Sequence, residues 1–212
     1  ALLPDTILMT ADTVGGVWTY ALELTRSLKE SGIQVHLATM GEELTGSQQQ
    51  TAREIPNLII HESTFALEWM EDPWKEVEAA GEWLLGLEQD IRPDLIHLNN
   101  YTHGALPWQA PVLVAGHSCV LSWWQAVKKE KAPDSWQTYY ERVKEGLQEG
   151  THVIGVTGFL LSRLREYYGP FSSAEVIYNA RDRNRFRPSA KEPVIFSMGR
   201  LWDEAKNIRA LK

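Results

Sequence analysis

"MTADTVGGVWTYALELTRSL", residues 9–28, leaves an apolar run, stops at two adjacent glycines and continues with helical spacing. Val17, Ala21, Leu24 and Leu28 recur at i, i+4, i+7 and i+11, which is one face of a helix. A strand that turns on glycines into a helix is the repeating unit of an open α/β sheet, and the rest of the chain repeats it. "TILMT" (6–10), "VHLATM" (35–40), "LIIHES" (58–63), "DLIHLN" (94–99), "VLVAGH" (112–117), "HVIGVT" (152–157) and "EVIYN" (175–179) are short, β-branched and bounded by Gly, Pro, Asp or Asn, so they read as strands. Val77, Leu84, Leu87 and Ile91 give a second helical face between two of them. Alternation of this kind predicts parallel strands joined by crossover helices: an α/β fold with a Rossmann-like parallel sheet and helices on both faces.

Composition narrows the function. With 212 residues and 43% hydrophobic content the chain can bury a substantial core. A formal charge of −7 gives no general attraction for phosphate backbones or anionic lipid, so neither a nucleic acid nor a deeply engaged membrane is expected, at most a peripheral membrane contact. Cys119 is the sole cysteine, which excludes an internal disulfide and any CxxC metal site. His36, His61 and His152 show no metal-ligand spacing with one another or with Cys119, so no metal is expected. No apolar run reaches membrane-spanning length and no signal peptide opens the chain, which makes the cytoplasm the default location.

Ligands of such sheets bind beyond the carboxyl ends of the strands. That rule selects Asp12 to Gly16, Asn99 to His103, His117 to Cys119, and Asn179. Gly15 and Gly16 stand where a helix N-terminus offers unpaired N–H groups, so an anion such as a phosphate is one reading and a packing turn is the other. The dinucleotide pattern G-x-G-x-x-G is absent, because Val17, Trp18 and Thr19 follow Gly16. That counts against a nicotinamide oxidoreductase, which would also need an acid ending the second strand; Glu42 lies a little beyond that place. His117 is placed to face a cleft, with Ser118 beside it, against the alternative of a satisfied buried ring. His97 reads as structural and His103 as a residue that could touch a ligand. "SWWQAVKKEKAPDSW" (122–136) combines three tryptophans with Lys128, Lys129 and Lys131, either a sugar or membrane platform or an interior aromatic cluster under a solvated face.

Residues 1–180 read as one domain. The texture changes at 181–192, where arginines and a proline replace apolar periodicity as in a linker. "VIFSMGR" (194–200) then reads as a fresh strand and "EAKNIRALK" (204–212) as the start of a helix, so 193–212 is expected to open a second Rossmann-like domain. Arg200 and Lys206 flank that turn, where two cations at a helix start could neutralise a diphosphate, or could pair with Asp203 and Glu204.

Taken together, Gly15–Gly16, "PDLIHLNN" (93–100), "AGHS" (115–118), "VTGFLLSRLREYYG" (156–169), "VIYNARD" (176–182) and "GRLWDEAKN" (199–207) resemble the retaining, nucleotide-sugar-dependent glycosyltransferases of the GT-B fold, in the group-1 (family 4) class. The resemblance covers essentially the whole chain. It implies an N-terminal domain that binds the acceptor and a C-terminal domain that binds the sugar nucleotide. It further implies that Gly15 and Gly16 approach the donor phosphates, that His117 contacts the transferred sugar, and that Arg200 and Lys206 hold the diphosphate. Asn99, His103 and Ser118 stand as acceptor or cleft candidates from the strand-end rule, and the resemblance matches Asn179 to the family's P-N-G-V-D segment, from which Ala180 and Arg181 depart. The donor is then a nucleotide-diphosphate sugar, the acceptor a saccharide or lipid-linked saccharide, and no cofactor is required. The resemblance places the family's E-x7-E segment in the second domain, beyond the part of that domain that residues 193–212 open, so a second polypeptide carrying the rest of the donor domain is expected. The competing expectation is a non-catalytic acceptor-binding or regulatory half.

Overall fold

The computed structural model describes residues 3–199, 201 and 203–211. Seven strands form one sheet: β1 (Thr6–Asp12), β2 (Gln34–Met40), β3 (Leu58–Glu62), β4 (Leu95–Leu98), β5 (Val112–Gly116), β6 (His152–Gly155) and β7 (Ala174–Val176). Their order is β3-β2-β1-β4-β5-β6-β7, and every neighbouring pair is parallel. Each coincides with an expected strand to within a few residues. The helices are α1 (Gly16–Leu28), α2 (Gly46–Arg53), α3 (Trp74–Ile91), the short α4 (Val120–Trp123), α5 (Gln137–Glu149) and α6 (Gly158–Tyr168). α2 falls in a polar stretch with no apolar stripe; Thr45 and Gln48 start it by a reciprocal capping box.

The sheet is buried on both faces. Alternate residues of β1 and β2, namely Ile7, Met9, Val35 and Leu37, pack against Val17, Trp18, Ala21 and Leu22 of α1. On the opposite face Leu8, Ile96, Val114 and Val153 meet Leu84 of α3, Val143 and Leu147 of α5, and Leu164 of α6. This division follows from handedness. The chain moves one way along the sheet from β1 to β3 and the other way from β4 to β7, and right-handed crossovers then place the two sets of helices on opposite faces. Where the direction reverses, between β1 and β4, the loops leaving the strands diverge and open a crevice at their carboxyl ends.

One contact locks the loop beyond β4. Gly104 lies in a 3₁₀ turn, Thr102–Ala105, that presses on α5 at Gly146. A Cβ on Gly104 would overlap the Gly146 carbonyl, and one on Gly146 would overlap that of Tyr101. Glycine is required at both positions by backbone approach, not by backbone conformation.

Over residues 194–211 the elements differ from the strand and helix expected there. No strand forms over 194–199, because a strand is held by ladder bonds to a neighbour and none of the seven strands pairs with this stretch among the described residues. Val194, Ile195, Phe196 and Met198 are accordingly exposed. The expected helix at 204–212 is two 3₁₀ turns, Glu204–Lys206 and Ile208–Leu211, separated by Asn207 in the left-handed region at φ 46°. Arg200 lies outside the described residues. Among the described residues no helix is long and apolar enough to cross a membrane.

Gly146→Ala should lower the stability of the domain by about 3 kcal/mol, as expected for an added carbon that a packed backbone cannot accommodate. A urea midpoint equal to that of the parent protein would show that α5 and the 102–105 turn can separate freely.

Candidate functional site

Thr10, near the end of β1, is the centre from which the crevice is built. It is almost wholly buried, yet polar, and its hydroxyl accepts the Asn99 backbone N–H and donates to Asn100 Oδ1, both at 2.9 Å. Its carbonyl accepts Asn99 Nδ2 at 2.6 Å. With its amide nitrogen committed in this way, Asn99 turns its oxygen toward His117, and Oδ1 and Nε2 are 2.8 Å apart. A carboxamide oxygen only accepts, so His117 donates through Nε2 and its Nδ1 carries the lone pair. Among the described residues no hydrogen bond is made at Nδ1, which leaves it free to accept a ligand hydroxyl.

Tyr20, one turn into α1, packs edge-on against the His117 ring with centroids 4.6 Å apart, and its hydroxyl lies 3.3 Å from His97 Nε2. Burial raises the Tyr20 hydroxyl to about 12, so it stays protonated. Burial lowers His117 to about 4, and burial together with the neighbouring His117 lowers His97 to about 3. Both rings are therefore neutral at pH 7. The sequence pointed to His117 and Asn99, which the fold brings into direct contact. It missed Thr10 and Tyr20; the signals were a lone hydroxyl inside the apolar β1 run and an aromatic one turn beyond Gly16.

The glycine turn is braced by its own chain. Asp12 Oδ1 accepts the N–H groups of Val14 and Gly15 at 3.1 and 2.8 Å, so the Gly15 amide is already engaged by a carboxylate of its own chain. A Cβ on Gly15 would lie 3.3 Å from that oxygen. At Gly16 a Cβ would meet nothing within 4 Å, so the open approach to the start of α1 lies there. His103 does not face a ligand. It is buried, with Nε2 donating to the Val77 carbonyl at 2.9 Å and Nδ1 accepting Asn100 Nδ2 at 2.6 Å. Both ring nitrogens are thus satisfied, and the ring ties the loop after β4 to α3. Ser118 is exposed beside His117, and its carbonyl accepts the Tyr101 hydroxyl at 2.5 Å. Asn179 lies exposed on the segment that leaves β7, and Lys206 lies exposed in its 3₁₀ turn.

Glu68 supports this loop from below. Its buried carboxylate accepts the backbone N–H of Tyr101 at 3.1 Å, and the N–H and hydroxyl of Thr102 at 2.9 Å. Desolvation raises its carboxyl above the ordinary glutamate range, while these donors pull it back. Nothing in "STFALEWMED" (63–72) marked it in the sequence. Among the described residues no group of three His, Cys, Asp or Glu side chains is placed to hold a metal ion.

The histidines give the domain a pH dependence of known sign. Because the folded His117 and His97 bind a proton less readily than the ordinary value of 6.5, the unfolded chain takes up protons first as pH falls. Stability should be full above about pH 6.5 and should fall toward pH 4, by at most about 1.4 kcal/mol per pH unit for each ring. Urea midpoints taken across that range should drop, and His117→Gln should flatten the slope by its own share. An equal slope in the variant would mean that His117 is not held neutral.

The sequence model of Glycosyltransferase Family 4 matches residues 14–185, which takes in α1, the loops after β4 and β5 and the first part of the segment after β7, while Thr10 and Asp12 of β1 lie before it. No curated protein sequence matches the chain. Among solved structures, sucrose-phosphate synthase from Thermosynechococcus elongatus is similar with a TM-score of 0.67 and 14% identity, over 87% of this chain and 50% of that one. MurG of Acinetobacter baumannii is similar at 0.52 and 17% identity, over 90% and 51%. Phytolacca americana UGT2, complexed with UDP-2fluoro-glucose and pterostilbene, is similar at 0.55 and 10% identity, over 83% and 53%. At these identities the likeness is one of fold, that of a Rossmann-like domain of GT-B glycosyltransferases, and the chain spans about half the length of these structures. With most of its residues inside the family match, the chain belongs to Glycosyltransferase Family 4.

Proposed function

We propose that this domain forms the acceptor side of a retaining glycosyltransferase of the hexosyltransferase type, which moves a sugar from a nucleotide-diphosphate sugar to a saccharide or lipid-linked saccharide. The observation that carries the reading is the free Nδ1 of a neutral His117, oriented by Asn99 and Tyr20, and with it stands the open start of α1 at Gly16. A neutral imidazole acceptor suits a sugar hydroxyl, and the start of α1 suits a phosphate. The nucleotide sugar complexed with the UGT2 neighbour is consistent with such a donor.

In the proposed reaction the bond from the anomeric carbon to the diphosphate oxygen breaks, and its electron pair leaves with the diphosphate. The acceptor hydroxyl attacks from the same face and passes its proton to a leaving diphosphate oxygen, so no side-chain nucleophile is needed. Electrostatic stabilisation of the leaving charge dominates such a step. Lys206 and Arg200 are the residues assigned to it, with Arg200 resting on the sequence alone. The donor half belongs to a further polypeptide segment, in line with relatives about twice this length. Cytoplasmic synthesis of a polysaccharide is the setting in which we place the activity.

The test is transfer from labelled nucleotide sugars to oligosaccharide and lipid-linked acceptors, with the chain supplied alone and with its donor-domain partner. His117→Ala should lower turnover at least tenfold while changing acceptor KM by less than threefold. Gly16→Val should abolish transfer without altering the urea midpoint, since its Cβ meets open space. Unchanged turnover in both variants would remove the catalytic reading and leave a non-catalytic acceptor-binding domain.

A further inference from the structure

Glu23 lies on α1 one turn beyond Tyr20, and its side chain is only 10% exposed. Three guanidinium groups converge on it: Arg26 of the same helix at 2.9 Å, and Arg185 and Arg181 of the segment after β7 at 2.6 and 3.5 Å. One carboxylate neutralises one cation, so the cluster carries a surplus of two positive charges. Each guanidinium has five N–H donors, of which Glu23 occupies few. The surplus extends along the segment, since "RDRNRFR" (181–187) has four arginines against Asp182, in a chain whose formal charge is −7. Asp182 is turned to its own backbone, where Oδ1 accepts the Asn184 N–H at 2.9 Å. The Arg181 guanidinium also lies 5.9 Å from the Phe186 ring, which restricts its plane.

We propose that Arg26, Arg181 and Arg185 form a phosphoryl-binding subsite, which takes a phosphate monoester or diphosphate carried by the sugar substrate about one helical turn from the His117 pocket. The surplus of two charges matches a phosphate monoester dianion, and the guanidinium fork matches its oxygens two at a time. Tyr20 touches His117 and Glu23 is its neighbour on the helix surface, so the pocket and the arginine cluster adjoin successive turns of α1. Assigning the phosphate to a substrate rests on the transferase reading; the binding itself does not. An anion there would also pin the segment after β7 to α1.

The experiment is titration of the protein with inorganic phosphate, a hexose 6-phosphate and UDP, followed by calorimetry and backbone NMR shifts. All three arms are repeated for Arg181→Gln/Arg185→Gln, Glu23→Gln and His117→Ala. The double variant should weaken phosphate and hexose phosphate at least tenfold, Glu23→Gln should tighten them severalfold, and His117→Ala should leave inorganic phosphate unchanged. Tighter binding of the hexose phosphate than of UDP assigns the phosphate to the acceptor, and the reverse order assigns it to the donor. Both altered arginines are about half exposed, so loss of fold does not confound the result. Phosphate affinity equal in the double variant and the parent overturns the subsite, as does failure of all three probes to bind the parent at millimolar concentration. If no sugar transfer is found but phosphate binding still depends on the arginines, the transferase reading fails and the subsite stands. If transfer proceeds and KM for every phosphorylated substrate is insensitive to the arginines, the subsite fails alone.

Discussion

The crevice depends on one buried hydroxyl. Thr10 interrupts the apolar interior of β1, and everything polar around it is arranged to satisfy it and then to satisfy its partners. From Thr10 the hydrogen bonds run one way through Asn99 to His117 and the other way through Asn100 and His103 to the Val77 carbonyl on α3. A network of this kind has few alternatives at low dielectric, because any rotated amide would leave a buried donor or acceptor unpaired. That constraint is what gives His117 a defined tautomer and leaves its Nδ1 as the acceptor.

The same network explains how a loop, ordinarily the mobile part of an α/β domain, can hold functional side chains in place. The segment after β4 is fixed by Glu68 beneath Tyr101 and Thr102, by the Tyr101 hydroxyl on the Ser118 carbonyl, and by the glycine-to-glycine approach of the 102–105 turn to α5. The loops leaving β4 and β5 are thereby joined to each other on one side of the crevice. Burial then makes His117 and His97 neutral, so the pocket offers hydrogen-bond acceptors instead of charge. Positive charge is concentrated instead around Glu23, where the segment after β7 meets α1.

The seven strands and the placement of α1 and α3 were legible because each strand is apolar, short and ended by a residue that turns the chain, and because 3.6-residue spacing marks a helix without tertiary help. The stretch 194–199 has the same composition and is not a strand, since pairing requires a partner that composition cannot supply. His103 illustrates the opposite limit. Its position after a strand suggested contact with a ligand, and only the approach of α3 and Asn100 shows both of its nitrogens committed to the protein itself. Gly15 was legible as a close approach, but the group that approaches is Asp12, three residues away.

The sequence by itself determined the α/β class, the parallel order implied by crossover helices, and the strand ends at which function is found, all of which follow from periodicity and local turn chemistry. It also singled out His117 and Asn99, one at the end of β5 and one at the end of β4. Only the tertiary structure decided that these two residues touch, which His117 nitrogen is free, that Thr10 and Tyr20 hold them, and that Glu68 anchors the loop just beyond Asn99. The physical reason is that hydrogen-bond direction, desolvation and ion pairing depend on groups brought together from distant parts of the chain, 89 residues apart for Thr10 and Asn99 and 162 for Glu23 and Arg185. Periodicity carries no information about such pairs until the sheet has set which strand ends are neighbours.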